Sequence, residues 1–540
     1  MTFTTILILI LIVQIIHFLG TWKLYKKAGR KIWEAALPIY NAIILMKIIN
    51  RPSWWSLLLF IPIINLIMFP VIWVETLRSF GKNNTTDTIL GVVTLGMYIY
   101  YVNYTTGATY IKDRSLKPKT AAGEWISSIL FAVVAATIIH TYVLQPFTIP
   151  TSSLEKTLLV GDFLFVSKFH YGARTPMTSV SFPMVHDTIP LLRKKSYLNK
   201  PQLPYFRFPG FQEIKRNDIV VFNWPTDTLI DINRPSKGFK VKPLDKKSNY
   251  VKRCVGIPGD ELEIKNGYVY INGKQNSLPD RAKLQFRYKI VSKSSFVKRD
   301  NSGRYLNQPS AFVSSHFDIS DIYISDIDRN NKVITHIAQL TDEAYQKVKN
   351  NPNVIKVEKL TVEEGTWNQS TFPQDPKFKW NTKYFGPITI PQAGKSTEIT
   401  IENIALYKRI IEVYEGNEIG VENKISLSGT QVKLNGKVLT EYTFLQDYYW
   451  MMGDNRDNSQ DARMWGFVPF NHVVGKPVFI WMSWDSNAEG LMNKIRWERL
   501  FTTVGGEGKP VSYFKYFVIL LGVWFIFDFF RKRKEKAQNH

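Results

Sequence analysis

Cysteine is almost missing from this 540-residue chain: Cys254 stands alone, so no internal disulfide can form. Stability has to come from packing, even for any part of the chain outside the cytoplasm. Histidine is scarce as well, eight in all. No paired Cys/His spacing and no aromatic RNP pattern accompanies the net charge of +24, which excludes nucleic acid as the partner of that charge. Membrane headgroups remain, and many lysines and arginines do bracket apolar stretches. With 45% hydrophobic and 14% aromatic residues the chain is not disordered.

Four apolar segments approach the roughly 20 residues needed to cross hydrocarbon: Phe3–Leu19, Trp54–Val74, Trp125–Leu144 and Phe514–Phe530. Ile89–Tyr104 is a fifth, shorter and richer in Gly and Tyr, while Trp33–Ile49, carrying Glu34, Pro38, Asn41 and Lys47, suits a helix lying in the interface. Nothing basic precedes the first run and no small-residue cleavage site follows it, so a retained anchor is expected. Lys23, Lys26, Lys27, Arg30 and Lys31 follow it, and Lys112, Arg114, Lys117 and Lys119 precede Trp125. Both loops should be cytoplasmic, placing Gln145–Ser512 on the outer face and the tail RKRKEK, Arg531–Lys536, back inside.

Between the last two spans the pattern changes to short alternating runs. DIVVFNWP (Asp218–Pro225), ELEIKNGYVYINGK (Glu261–Lys274) and ISLSGTQVKLNGKVL (Ile425–Leu439) predict strands, two of the runs with Asn-Gly hairpin signals. Residues 278–418 are less regular and include a predicted helix at Leu340–Asn350; with no Gly/Ser linker around them, they are expected to be an insertion packed on the main domain.

Three blocks carry candidate chemistry. TIPTSSLEKTLLVGD, Thr148–Asp162, places hydroxyls of Thr151, Ser152 and Ser153 just beyond a membrane span; a turn or helix cap is the plainer role for such residues. YVKRCVGIPGD, Tyr250–Asp260, sets Lys252 in an apolar strand, where desolvation would lower its pKa from about 10.4. The alternative is a lysine snorkelling from a sheet edge beside an ordinary surface Arg253. MMGDNRDNSQDARMWGFVP, Met451–Pro469, is too dense in Asp, Asn, Arg and Ser for a merely solvated loop, yet Arg456 and Arg463 interrupt its acids and the closing Glu of a calcium loop is absent. A self-neutralising loop, with Asp461 paired to Arg463 and Ser459 donating locally, fits better than a metal site. His17 and His140 fall in apolar spans, His540 is terminal, and His170, His186, His316, His336 and His472 have no motif around them. A neutral Lys252 amine is therefore the candidate base for a serine.

In this order, after a membrane helix, the blocks resemble the bacterial type I signal peptidases, or leader peptidases, serine proteases with a Ser/Lys dyad. GDNRDNSQDARMWGFVP is the most specific match, VKRCVGIPGD is close to the lysine box, and RNDIVVFNWP (Arg216–Pro225) resembles the strand box with Asn217 where glycine is usual. The resemblance covers about Trp125–Gly475, interrupted by the insertion. It implies that Ser153 is the nucleophile and Lys252 the general base. It further implies that Thr151 and the Ser153 N–H form the oxyanion hole, that Ser459 orients the lysine, and that Asp461 and Arg463 hold its loop. Lys156 replaces the proline usual after the nucleophile box, and Ala462 a small hydroxyl residue.

The implied fold is a membrane-anchored, mainly-β protein: a signal-peptidase-like β catalytic domain with an α/β insertion, plus about five transmembrane helices. The expected division is 1–123, a membrane region with about three spans; 124–145, the helix leading to the catalytic domain; 146–277 and 419–512, the β-rich catalytic domain; 278–418, the insertion; 513–531, a final span; and 532–540, a basic cytoplasmic tail. The implied activity is removal of N-terminal signal peptides from exported preproteins at the outer (periplasmic) face of the inner membrane, through an acyl-enzyme and without metal or cofactor. Expected partners are signal peptides and the lipid bilayer; the extra spans and the insertion are open to docking a translocation channel or bracing the protease. The run LPYFRFPGF, Leu203–Phe211, is open to two roles, an aromatic lip in the membrane interface or a buried strand. The competing functions are a non-catalytic membrane-anchored signal-peptide-binding protein, which would not need to keep Ser153 with Lys252, and a self-cleaving Ser/Lys repressor, disfavoured by the outward topology.

Overall fold

The computed structural model describes residues 3–105, 107–118, 120–227, 241–488 and 490–538. Lys119, the side chain of Lys536, and the terminal residues of the tail with His540 lie outside the described residues.

The expectation of about five transmembrane helices is not met. Among the described residues two helices are long and apolar enough to cross a membrane, Thr4–Lys27 and Ala121–Val143. The Trp54–Val74 run is broken: a single turn, Trp55–Leu58, is followed by a bend at Ile63 (φ 71°) and a helix, Ile64–Ser79, with Pro70 inside it. Ile89–Tyr104 is likewise two short helices, Thr85–Val93 and Tyr98–Thr105, separated at Leu95 and Gly96, both at positive φ. At 1.5 Å per residue neither reaches half of a 30 Å hydrocarbon core. The C-terminal helix, Phe514–Gln538, is long, but Lys515 and Asp528 interrupt its apolar run before the basic end begins at Arg531. Trp33–Ile49 is not one interfacial helix either; it divides into Ile32–Ala35 and Tyr40–Ile48, and Ile44, Leu45, Met46 and Ile48 are buried.

The chain forms two compact units. The first comprises Met1–Leu144, Ala173–Phe208 and Thr228–Lys247. Apolar residues of its shorter helices form a core of their own with the end of the first long helix: Leu24, Tyr25, Ile44, Met46, Ile72, Leu77, Phe80, Ile99 and Val102 are buried together. A buried carboxylate, Glu75, ties this helical part together through Arg51 (2.9 Å), Arg114 (2.5 Å) and Arg78 (3.4 Å).

The second unit is Gln145–Gly172, Pro209–Asp227 and Ser248–His540. Its largest sheet runs in the order Leu144–Thr148, Asp162–Ser167, Val473–Ser483, Ile219–Asn223, Asn249–Gly256, Tyr448–Met452 and Val468–Pro469, with Thr502–Thr503 on the long Val473–Ser483 strand. Strands distant in sequence are neighbours here: Lys252 stands opposite Val220, and Arg253 opposite Met452. The Asn-Gly dipeptides turn hairpins as expected, with Asn266, Asn272 and Asn435 and the glycines after them at positive φ. Within 278–418, strands Ile322–Asp328, Val333–Leu340, Phe286–Ser292 and Val354–Lys359 make an antiparallel sheet carrying helices Ala311–Phe317 and Asp342–Lys349 over one core. Thr341 caps the second helix through its hydroxyl, and Lys347 and Lys349 lie in its last turn.

Candidate active site

The chain leaves the helix Ala121–Ile138 and enters a strand, Leu144–Thr148, before Pro150. Thr151 is extended and exposed, and Ser152–Leu154 form one 3-10 turn closed by the Glu155 N–H on the Ser152 carbonyl (3.0 Å). Leu154 and Leu158 are buried with Ile149, Leu164 and Ile480, which fixes the turn on the sheet and leaves Ser153 7% exposed.

Lys252 lies in the central strand Asn249–Gly256 and is 3% exposed. Burial pushes its amine down to about 8; Asp461 and Asp454 pull the other way and Arg463 adds to the depression. Among the described residues its Nζ has no hydrogen-bond or ion-pair partner; the nearest ring, Tyr250, has its centroid 5.7 Å away. Among the same residues Ser153 Oγ has no hydrogen-bond partner either. Serine–base hydrogen bonds are often long before substrate arrives.

The strand Tyr448–Met452 pairs with the lysine strand and delivers the loop Gly453–Asp461 beside it. Asp461 caps the short helix Ala462–Trp465, accepts the Gly453 N–H (3.1 Å), and is gripped by Arg463 through Nε and Nη2, both 2.8 Å. Arg463 also donates to the Arg456 and Thr382 carbonyls at 2.6 and 3.1 Å. Ser459 departs from the expected local bond: its Oγ is buried and, among the described residues, has no partner. Gly453 brings the blocks together, since a Cβ there would lie 2.3 Å from Ser459 Oγ and 2.6 Å from the Ser153 carbonyl oxygen. Gly453→Ala is therefore expected to displace the serine turn. A misplacement of about 1 Å costs roughly 100-fold in the rate of a serine-dependent reaction, measurable as peptide hydrolysis at unchanged far-UV circular dichroism.

Several residues that hold this site were not singled out from the sequence. Arg253 is not a surface charge: it is 2% exposed and grips Asp454 at 2.8 and 2.6 Å, with Nη1 on the Asn217 carbonyl (2.7 Å). Asp454 also accepts from Thr157 Oγ1 (2.7 Å). Asn455 donates its N–H to the Ser153 carbonyl and its side-chain amide to that of Ser152, both 3.1 Å. The density of Asp and Asn in the loop marked it as more than solvated surface, but partners hundreds of residues away have no local signal. Asn217 has φ 69°, a conformation asparagine tolerates better than other non-glycine residues. His170 pairs with Ser167 and His472 with Glu418. In LPYFRFPGF, Phe206, Phe208 and Phe211 stand 52%, 46% and 84% exposed, so the run is not a buried strand.

Residues 122–317 and 394–484, more than half of the chain, match the family described as signal peptidase, peptidase S26. The chain belongs to that family. Residues 33–113 match a second family, DUF5684, whose function is unknown. Among relatives, a signal peptidase I of Buchnera aphidicola subsp. Acyrthosiphon pisum is 26% identical over 395 residues, 72% of this chain and 84% of the relative. One of Haemophilus influenzae is 24% identical over 409 residues, 74% and 81% of the two chains. One of Rickettsia massiliae reaches 32% over 157 residues, 29% and 45%. Membership in the signal peptidase family carries serine peptidase activity in general and association with membranes. The two stretches matched to the family leave out 318–393, which include the edge strand Ile322–Asp328 and the helix Asp342–Lys349.

Proposed function

We propose that this protein is a membrane-bound endopeptidase that removes signal peptides from exported preproteins, with Ser153 as nucleophile and Lys252 as general base. The observation that carries this is Lys252 itself, a buried, unpaired amine lowered to about 8 in the strand beside the loop that Gly453 packs against the serine turn. In this reading residues 146–277 and 419–512 carry the protease and 278–418 are an insertion.

The neutral amine takes the Ser153 proton as Oγ attacks the scissile carbonyl. The Ser153 N–H, a first-turn donor with no partner inside its own 3-10 turn, and the Thr151 hydroxyl meet the oxyanion, each worth about 3 to 4 kcal/mol in comparable sites. The C–N bond breaks as the Lys252 ammonium returns its proton to the leaving amine; the regenerated amine then activates water against the ester. Asp461 and Arg463 hold the loop beside the lysine, and Ser459, buried and unpaired in that loop among the described residues, is the hydroxyl that would orient the amine.

Two spanning helices whose intervening helical segment carries Lys and Arg next to both of them would leave Gln145 onward on the outer face, in keeping with the charge rule. The exposed phenylalanines 206, 208 and 211 suit an apolar interface, where a signal helix presents its end.

The pH profile tests the base. Lys252 acts only when neutral, so cleavage of a preprotein in detergent rises with pH to a plateau above about 8 and falls on acidification. Two units below the midpoint it should be about 100-fold slower. A rate still climbing steeply near 10.4, the ordinary lysine value, would reject a desolvated amine as the base.

A further inference from the structure

Lys156 follows the serine turn with φ 71°, the left-handed region that strains any side chain with a Cβ. Proline, whose ring fixes φ near −65°, cannot occupy it. The hold on that path comes from residues 278–418. Lys156 Nζ lies 2.7 Å from Asp318 Oδ1, just past the helix Ala311–Phe317. Three residues on, Asp321 Oδ2 accepts the Asn458 side-chain amide (3.1 Å), which also donates to Ser152 Oγ (3.0 Å). The same segment also binds the Gly453–Asp461 loop. The Gln285 N–H donates to the Asp454 carbonyl (3.0 Å) and the Arg456 N–H to the Gln285 carbonyl (2.9 Å). The Arg287 N–H and Lys383 Nζ reach Asp457 at 2.9 and 2.6 Å.

We propose that Asp318 and Asp321 are positioning residues of the peptidase, and that the 278–418 segment is a clamp holding the Ser152–Lys156 turn against the Gly453–Asp461 loop. The clamp rests on the reading of Ser153 as nucleophile. Neither aspartate meets substrate; Asp318 acts through Lys156 and Asp321 through Asn458. Without Asp318 the Lys156 backbone relaxes toward negative φ, and Ser153, three residues earlier, loses its alignment with the base.

The test uses the full chain in detergent and a preprotein substrate, with kcat and KM measured separately. Asp318 is 57% exposed in its side chain, and such ion pairs are weak, so Asp318→Ala should lower kcat about five-fold and leave KM within two-fold and the unfolding midpoint unchanged. Glycine takes positive φ without strain, so Lys156→Gly placed in the Asp318→Ala background should recover at least half of the lost kcat. A merely structural ion pair would not be rescued in this way. Parental kcat in Asp318→Ala, a loss confined to KM, or a double variant no faster than the single one each overturns the clamp. Ser153→Ala runs beside them: persistent cleavage there rejects the nucleophile itself, a result distinct from any of these.

Discussion

If Ser153 and Lys252 act as the proposed pair, Ser153→Ala and Lys252→Ala should each reduce cleavage of a preprotein to background, an expected loss of about 10,000-fold or more, since groups that act as one unit lose nearly everything when either is removed. Ser152→Ala, which gives up one exposed hydrogen bond from Asn458, stays within about five-fold of the parent. Lys252→Met separates chemistry from folding. Burial lowers the folded-state amine to about 8 from 10.5, so the unfolded chain holds more protons between those values and stability rises with pH across that window. Below it the buried ammonium costs the fold up to about 3 kcal/mol. An apolar side chain of similar length removes that cost, so Lys252→Met should be inactive yet unfold at a higher temperature at pH 7. Full activity in Lys252→Ala, or Lys252→Met less stable than the parent, would reject the placement of this amine.

The second large effect is on stability. Asp461 and Arg463 are buried to 0% and 1% side-chain exposure, and both Asp461 oxygens are gripped by the guanidinium. Arg463→Ala leaves Asp461 with the Gly453 N–H as its remaining strong donor and frees the Arg456 and Thr382 carbonyls. An uncompensated buried charge costs about 3 to 5 kcal/mol, a large share of what a domain has. Urea unfolding of the full chain should show an earlier midpoint at an unchanged slope. Arg463→Lys keeps the charge and loses the fork, so it should fall between the two. A parental midpoint in Arg463→Ala would mean that the pair is not dry.

The features legible in the sequence were those with a short physical range. Asn-Gly turns need two residues, and Asp461 and Arg463 lie two apart. The membrane helices show where that range ends. An apolar window cannot separate residues facing lipid from residues facing another helix, and it slides across the breaks at Ile63 and at Leu95–Gly96. Ile72, Leu77, Ile99 and Val102 contribute instead to a helical core. Ser459 is expected to donate locally, yet its Oγ is buried and, among the described residues, unpaired.

Residue types and their spacing along the chain determined on their own the family, the blocks that carry Ser153 and Lys252, the hairpins, and the excess of positive charge. Tertiary structure alone decided that Lys252 is dry, because desolvation depends on what covers a side chain and not on its neighbours in sequence. It alone joined Arg253 to Asp454, 201 residues away, placed Gly453 between Ser153 and Ser459, and set Asp318 beside Lys156. Coulomb forces and hydrogen bonds act across a few ångströms of space, and only the folded chain makes those distances short.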